Sequence, residues 1–390
     1  MIARSGEAGF TMLELLVACV IMLFVLASIY AILSPAEGAF RAQPEVADLQ
    51  QRVRVAVETL ARDLAAAGAG LTRGDGAGPL TDFFAPILPY DAVADPPGTF
   101  RPDAITIFYV PDTVAQSTLA SPLSPAASVL TVASAPGCPA TDAVCGFETG
   151  MHTLVFDRAG RWSPLSIVGV ASPALLVRRY GPDLSSTYDT GSSLAQVSIH
   201  AYSVKRDAGG EGWQLSHHDG FETELPLVDN IVSLDFEYWG TPQPPVLLQA
   251  VSEQTGPWTT YGPKAPVLGV LQGSGYPAGE NCTFQVVDGA HAPRLADLSP
   301  GSMSLVPLSP QMLTDGPWCP GPASPSRFDA DLLRIRQVRV TLRAQVASRA
   351  LRGPAGSSFT NGGWARGGEM YVPDQAVRFD VVPRNMSLGR

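Results

Sequence analysis

Residues 9 to 14 read Gly-Phe-Thr-Met-Leu-Glu, and Glu14 is followed by an uncharged run from Leu15 to Leu33. Two kinds of chemistry are available there. The Gly9–Phe10 bond has no side chain on its acyl side, which leaves the backbone there open to close approach. Glu14 puts a carboxylate at the edge of a segment suited to lipid, where an acid is costly and needs a named partner.

The remaining reactive residue types offer less. "SHHDG" holds His217, His218 and Asp219. Neighbours on a strand point to opposite faces, so both imidazoles do not reach one ion, and the stretch suits a hairpin turn. Asp183 and Asp189 share the loop "GPDLSSTYDTGSS", which lacks the Asp-x-Asp-x-Asp-Gly pattern of a calcium loop and reads as solvated. "RGDGAG" at 73–78 lacks the lysine of a phosphate loop and reads as a flexible exit from a helix. There is no Gly-x-Ser-x-Gly elbow and no convincing Ser/His/Asp set. The expectation is therefore no catalytic residue, no metal site and no cofactor.

Five cysteines are present. Cys19 lies in the apolar run and reads as a packing residue. Cys138, Cys145, Cys282 and Cys319 make an even number outside it, which fits an oxidising compartment. Three pairings are open; proximity in the sequence favours 138–145 and 282–319. No CxxC-like zinc spacing occurs.

These residues need elements to hold them. Leu15 to Leu33 is long enough, at about 1.5 Å per residue, to cross the hydrocarbon core of a bilayer. It is longer than the apolar region of a removable signal peptide, and its small residues precede it. Leu49, Val53, Val57, Leu60, Leu64 and Ala67 then recur at three- and four-residue intervals, the mark of a helix with one apolar face. Gln51, Arg52, Arg54, Glu58, Arg62 and Asp63 mostly fall off that stripe, with Glu58 and Arg62 spaced as an ion pair. Gly68 and Gly70 end the helix. The reading is one helix from Phe10 to about Ala67, bent or loosened near 35–44 by Pro35, Gly38 and Pro44.

Strand signals follow at 104–110, 128–133, 152–157, 165–170, 174–180, 195–204, 230–239, 336–346 and 376–382. In 336–346, Val338, Val340, Leu342, Ala344 and Val346 alternate with polar residues, as in a half-buried antiparallel strand. Residues 240–330, rich in Pro and Gly, read as an insertion pinned by Cys282 and Cys319. With 38 Gly and 35 Pro, the whole chain is rich in turns. A net charge of −10 argues against a general nucleic-acid surface.

Gly9, Phe10, Thr11, Leu13 and Glu14, followed at once by the apolar helix, resemble the processing site of type IV prepilins and type II secretion pseudopilins. The leader "MIARSGEAG" departs from the usual basic pattern, since Glu7 partly offsets Arg4. "LVDNIVSLDFEYWG", "IRQVRVTLRAQV" and "RFDVVPRNMSL" resemble the large minor pilins of the PilW type and the pseudopilin J of type II secretion.

The resemblance implies an α+β, type IV pilin-like fold, with a long N-terminal helix packed on an antiparallel sheet. It implies a leader at 1–9, a pilin helix at 10–67 with a transmembrane segment at 13–33, and a periplasmic β-rich domain at 68–390 carrying the 240–330 insertion. A membrane peptidase would cut between Gly9 and Phe10 and methylate the new amino terminus. Glu14 would pair with the amino group of Phe10 on a neighbouring subunit. The expected partners are other minor pilins, the major pilin, the prepilin peptidase, the inner-membrane assembly platform and the membrane itself. No small-molecule substrate is expected. The function implied is a non-enzymatic minor pilin at or near the filament tip that helps start assembly. The alternatives are a J-type pseudopilin, a pilus-displayed adhesin or DNA-binding receptor, and a membrane-anchored periplasmic enzyme with a chance motif.

Overall fold

The fold comes from a computed structural model, which describes residues 10–72, 77–134, 138, 142–180, 186–207, 209–210, 212–244, 275–277, 280–365 and 370–387. Helix α1 (Met12–Ala66) spans 55 residues. It runs unbroken through Pro35, Gly38 and Pro44, where the sequence led us to expect a loosened stretch. A proline removes one donor and crowds one carbonyl. That local loss leaves the helix continuous, with an apolar turn sequence before it and a buried stripe after it. The chain divides into two compact units, Met1–Gln51 with Gln345–Gln375, and Arg52–Ala344 with Ala376–Arg390.

In the first unit, Met12–Ala31 is the one helical span among the described residues that is long and apolar enough to cross a membrane, with mean hydropathy 2.7 and none of it buried. The described part of Gln345–Gln375 holds little regular structure and is tied together by side chains. The guanidinium of Arg352 donates to the carbonyls of Val346 and Ala347, and Gln345 and Asn361 bond to each other.

The second unit begins with the last turns of α1. Ala56, Leu60, Leu64 and Ala67 are buried, while Val57 of the expected stripe is only half so. Gly68 then takes positive φ and its N–H donates to Phe108, turning the chain off the helix. Strands β1 (Ile87–Leu88) and β2 (Ala104–Tyr109) follow. Next come β3 (Gln116–Thr118), β4 (Val129–Thr131), β5 (His152–Phe156), β6 (Trp162–Ala171), β7 (Ala174–Arg179) and β8 (Ser193–Gln196). They form one antiparallel sheet in the order β3-β8-β5-β6-β7-β4.

Its two outer strands also meet. Leu119 bridges Val132, Ala120 N–H donates to Thr131 and Ala133 N–H donates to Thr118. The sheet thus closes into a small barrel, filled by Leu119, Leu130, Phe147, Leu165, Ile167, Leu175, Tyr188 and Leu194 among others. Closure removes the exposed edges an open sheet would present.

After the barrel, β9 (Ser198–Arg206) returns to pair with β2, and β10 (Trp213–His218) and β11 (Glu224–Asp229) complete a five-stranded sheet, β1-β2-β9-β10-β11. The single strand expected at 195–204 is therefore two strands broken at Val197, because the chain leaves the barrel for the sheet there. Strand β12 (Ile231–Gly240) begins a second sheet. Two short ribbons follow, β13 (Phe284–Val287) with β14 (Ala290–Pro293), and, beyond β15 (Val306–Leu308), β16 (Trp318–Cys319) with β17 (Phe328–Asp329). Strands β18 (Ile335–Ala344) and β19 (Gln375–Val381) close the sheet in the order β15-β12-β18-β19. Val338, Val340, Leu342 and Ala344 of β18 are buried, facing the same way as the alternation required.

The stretch 240–330 holds both ribbons and β15, and residues 245–274 within it lie outside the described residues. Its described parts are held by Arg334, fully buried, whose guanidinium meets Asp331 and donates to the carbonyls of Pro242 and Ala296 at 2.7 and 2.6 Å. Disulfides join Cys282 to Cys319 and Cys138 to Cys145. The architecture is α+β: an N-terminal apolar helix and a large antiparallel β domain.

Candidate functional site

Gly9 lies outside the described residues. Phe10 is 90% exposed and stands just before α1. Thr11 is the residue before the helix and Glu14 is the third residue inside it, the S/T-x-x-E spacing that lets two side chains cap one helix start. The bonds are present in both directions. Glu14 N–H donates to Thr11 Oγ1 at 3.2 Å, and Thr11 N–H donates back to Glu14 Oε2 at 2.9 Å. The Thr11 hydroxyl also donates to Oε2 at 2.9 Å. Two donors that a helix start leaves unmet are thereby satisfied. A carboxylate there also suits the positive end of the helix dipole.

Oε2 takes both of these bonds, and Oε1 takes none among the described residues. The side chain can cap its own helix and still present an oxygen outward. Beyond it, Leu15, Leu16, Ile21, Met22, Leu23 and Phe24 are all exposed. An apolar surface of this length is unstable in water and suits lipid or other helices. Cys19, on the same surface, is free and exposed.

The other sequence candidates fall out differently. His217 and His218 lie on β10, and only Asp219 enters the turn before β11, where Oδ1 accepts from Phe221 and Thr223 N–H. His218 Nδ1 accepts from Gly220 N–H, while His217 meets His200 of β9. Asp183 and residues 73–76 of the glycine-rich loop lie outside the described residues. Among the described residues, no three His, Cys, Asp or Glu side chains are grouped to hold a metal ion.

Three charges of α1 depart from the periodic expectation. Glu58 pairs with Arg54 at 2.7 Å, and Arg62 turns to Asp63 at 3.1 Å. Asp63, one of the polar residues that mostly fall off the stripe, is itself on it: it is 1% exposed and meets the hydroxyl of Tyr202. The signal was there: Asp63 follows Leu60 by three and precedes Ala67 by four, which places it on the stripe.

Residues 4–30 match the family model described as the prokaryotic N-terminal methylation motif. No curated protein matches the chain. The motif supports a type IV pilin-like protein, either pilin or pseudopilin, and a structural rather than catalytic role. With the exposed apolar helix it is consistent with membrane anchoring and incorporation into a filament.

Proposed function

We propose that this chain is a minor pilin, cut between Gly9 and Phe10 by prepilin peptidase and built in at or near the tip of a type IV pilus, where it helps assembly begin. The observation that carries the reading is the methylation motif joined to a capped Glu14 at the head of an exposed apolar helix. Before assembly the helix is held in the inner membrane, with the β domain in the periplasm. The two disulfides suit that compartment. In the filament the same apolar surface meets the helices of other minor pilins and the major pilin. The peptidase and the inner-membrane assembly platform are its remaining partners.

Cleavage is the first test. Glycine at position 9 leaves the bond open to the peptidase, so Gly9→Leu should yield a precursor heavier than the wild-type mature protein by residues 1–9. Intact mass of both proteins, expressed with a prepilin peptidase, reads this directly. Equal processing of the two would overturn the reading. A type II secretion pseudopilin would share the motif, and a deletion strain that loses secretion but keeps its pili would assign the chain there instead.

A further inference from the structure

We propose that Asp63, His200 and His217 form an acid-sensitive latch between the Arg52–Ala66 part of α1 and the five-stranded sheet. The inference stands apart from processing and assembly. Asp63 reaches down from α1, and its Oδ2 accepts the hydroxyl hydrogen of Tyr202 on β9. His200, two residues earlier on the same face of β9, places Nδ1 3.6 Å from that oxygen. The same Nδ1 lies 2.7 Å from Nε2 of His217 on β10, and Nε2 of His200 lies 3.1 Å from the hydroxyl of Tyr109 on β2. The cluster thus draws on a helix and three adjacent strands.

A hydrogen bond between two imidazoles needs one lone pair and one proton on the shared line. The pair tolerates one added proton, since an imidazolium still donates to a neutral ring. It does not tolerate two, because both nitrogens would then present hydrogens to each other at 2.7 Å. The surroundings rank the two protons. Asp63 favours a charge on either ring, and Asp219 does so less strongly. Arg62 opposes both, and so does each imidazole's neighbour, His217 for His200 and His218 for His217. Tyr109 and Tyr202 are held neutral by burial.

Desolvation is the largest influence on each histidine and holds both below the ordinary histidine range. The unfolded chain therefore takes up more protons as pH falls, and stability present above about pH 6.5 is lost on acidification. The second proton drives His217 out, and water then reaches the Asp63–Tyr202 bond beneath it.

The test uses the full-length protein in detergent micelles. Hydrogen–deuterium exchange of residues 52–66 is followed at about pH 7.5 and about pH 5, corrected for the intrinsic rate. Protection in the wild type should fall by about tenfold or more, the effect of one proton taken up across one unit of pH. His217→Gln, which can still hydrogen-bond but not titrate, should lose distinctly less protection than wild type, because only His200 is left to take up a proton, while His218→Gln should behave as wild type. Equal loss in wild type and His217→Gln, or no loss in wild type, overturns the latch. Imidazole titration of the unaltered protein by NMR gives a second reading that needs no variant. Two separated, coupled steps for His200 and His217 support the latch, and two independent single-step curves overturn it.

Discussion

Asp329 puts a carboxylate where water does not reach. It is fully buried, and its oxygens accept from the N–H groups of Asp331 at 2.9 Å and Gly316 at 2.7 Å. Burial outweighs those bonds and raises its pKa to about 7. The folded chain therefore holds a proton that the unfolded chain has released, between the ordinary carboxyl value near 4 and about 7. Stability from this group is full below that window and is lost as pH rises through it. The loss is at most about 4 kcal/mol on the usual conversion of pKa to free energy. Asp329→Asn should lower stability overall, because its amide offers hydrogens where Gly316 N–H needs an acceptor. It should also flatten the fall between about pH 5 and about pH 7. Chemical denaturation of both proteins across that range checks this, and an unchanged slope would reject the assignment to Asp329. The histidine latch acts with the opposite sign, and its window, below about pH 6.5, falls within that of Asp329, so the two partly offset each other there.

At the scale of elements, α1 shows what a sequence pattern conveys and what it omits. Leu60 and Leu64 are fully buried, as their spacing required, while Val55 on the opposite face is exposed. Leu60→Ala should therefore cost about 2–5 kcal/mol, and Val55→Ala should stay within about 0.5 kcal/mol. Urea unfolding of the two variants would compare them, and equal midpoints would mean the stripe is not the packed face. Periodicity reported the stripe because apolar burial repeats with the helix. It did not single out Asp63, since a polar residue on the apolar face is explained only by its partner, and Tyr202 lies 139 residues away. The same limit hid His200. Alternation located it in a strand, but the pairing of β9 with β10 that brings it to His217 is a matter of register. The barrel was legible as separate strands at 128–133, 152–157, 165–170 and 174–180, yet its closure depends on the Leu119–Val132 bridge, which no local pattern announces. By contrast, the start of α1 was fully local: Thr11 and Glu14 are three residues apart, and both capping bonds follow from that spacing.

For the whole molecule, the function proposed above gives Glu14 two environments. In the membrane it sits at the start of the Met12–Ala31 span, where water and its own Thr11 satisfy it. In an assembled filament the apolar helices cover one another, and a carboxylate among them needs a positive partner. The amino group of a neighbouring Phe10 is that partner in the reading proposed above, and Oε1, which takes no bond among the described residues, is the oxygen placed to receive it. Because the pair forms only at one axial register, it would set how far one subunit rises beside the next. The capping geometry supplies a variant that separates two roles of the side chain. Glu14→Gln keeps the reciprocal cap, since glutamine serves at that position as glutamate does, but it removes the charge. Glu14→Ala removes both. If charge pairing governs assembly, both variants should reach wild-type membrane levels, and neither should support pili in a strain that carries only the variant. If the cap alone matters, Glu14→Gln should assemble and Glu14→Ala should not. Counting filaments by electron microscopy, with membrane levels measured alongside, distinguishes the two. Normal filaments from both variants would reduce Glu14 to an interfacial residue and remove the electrostatic register from the proposed function.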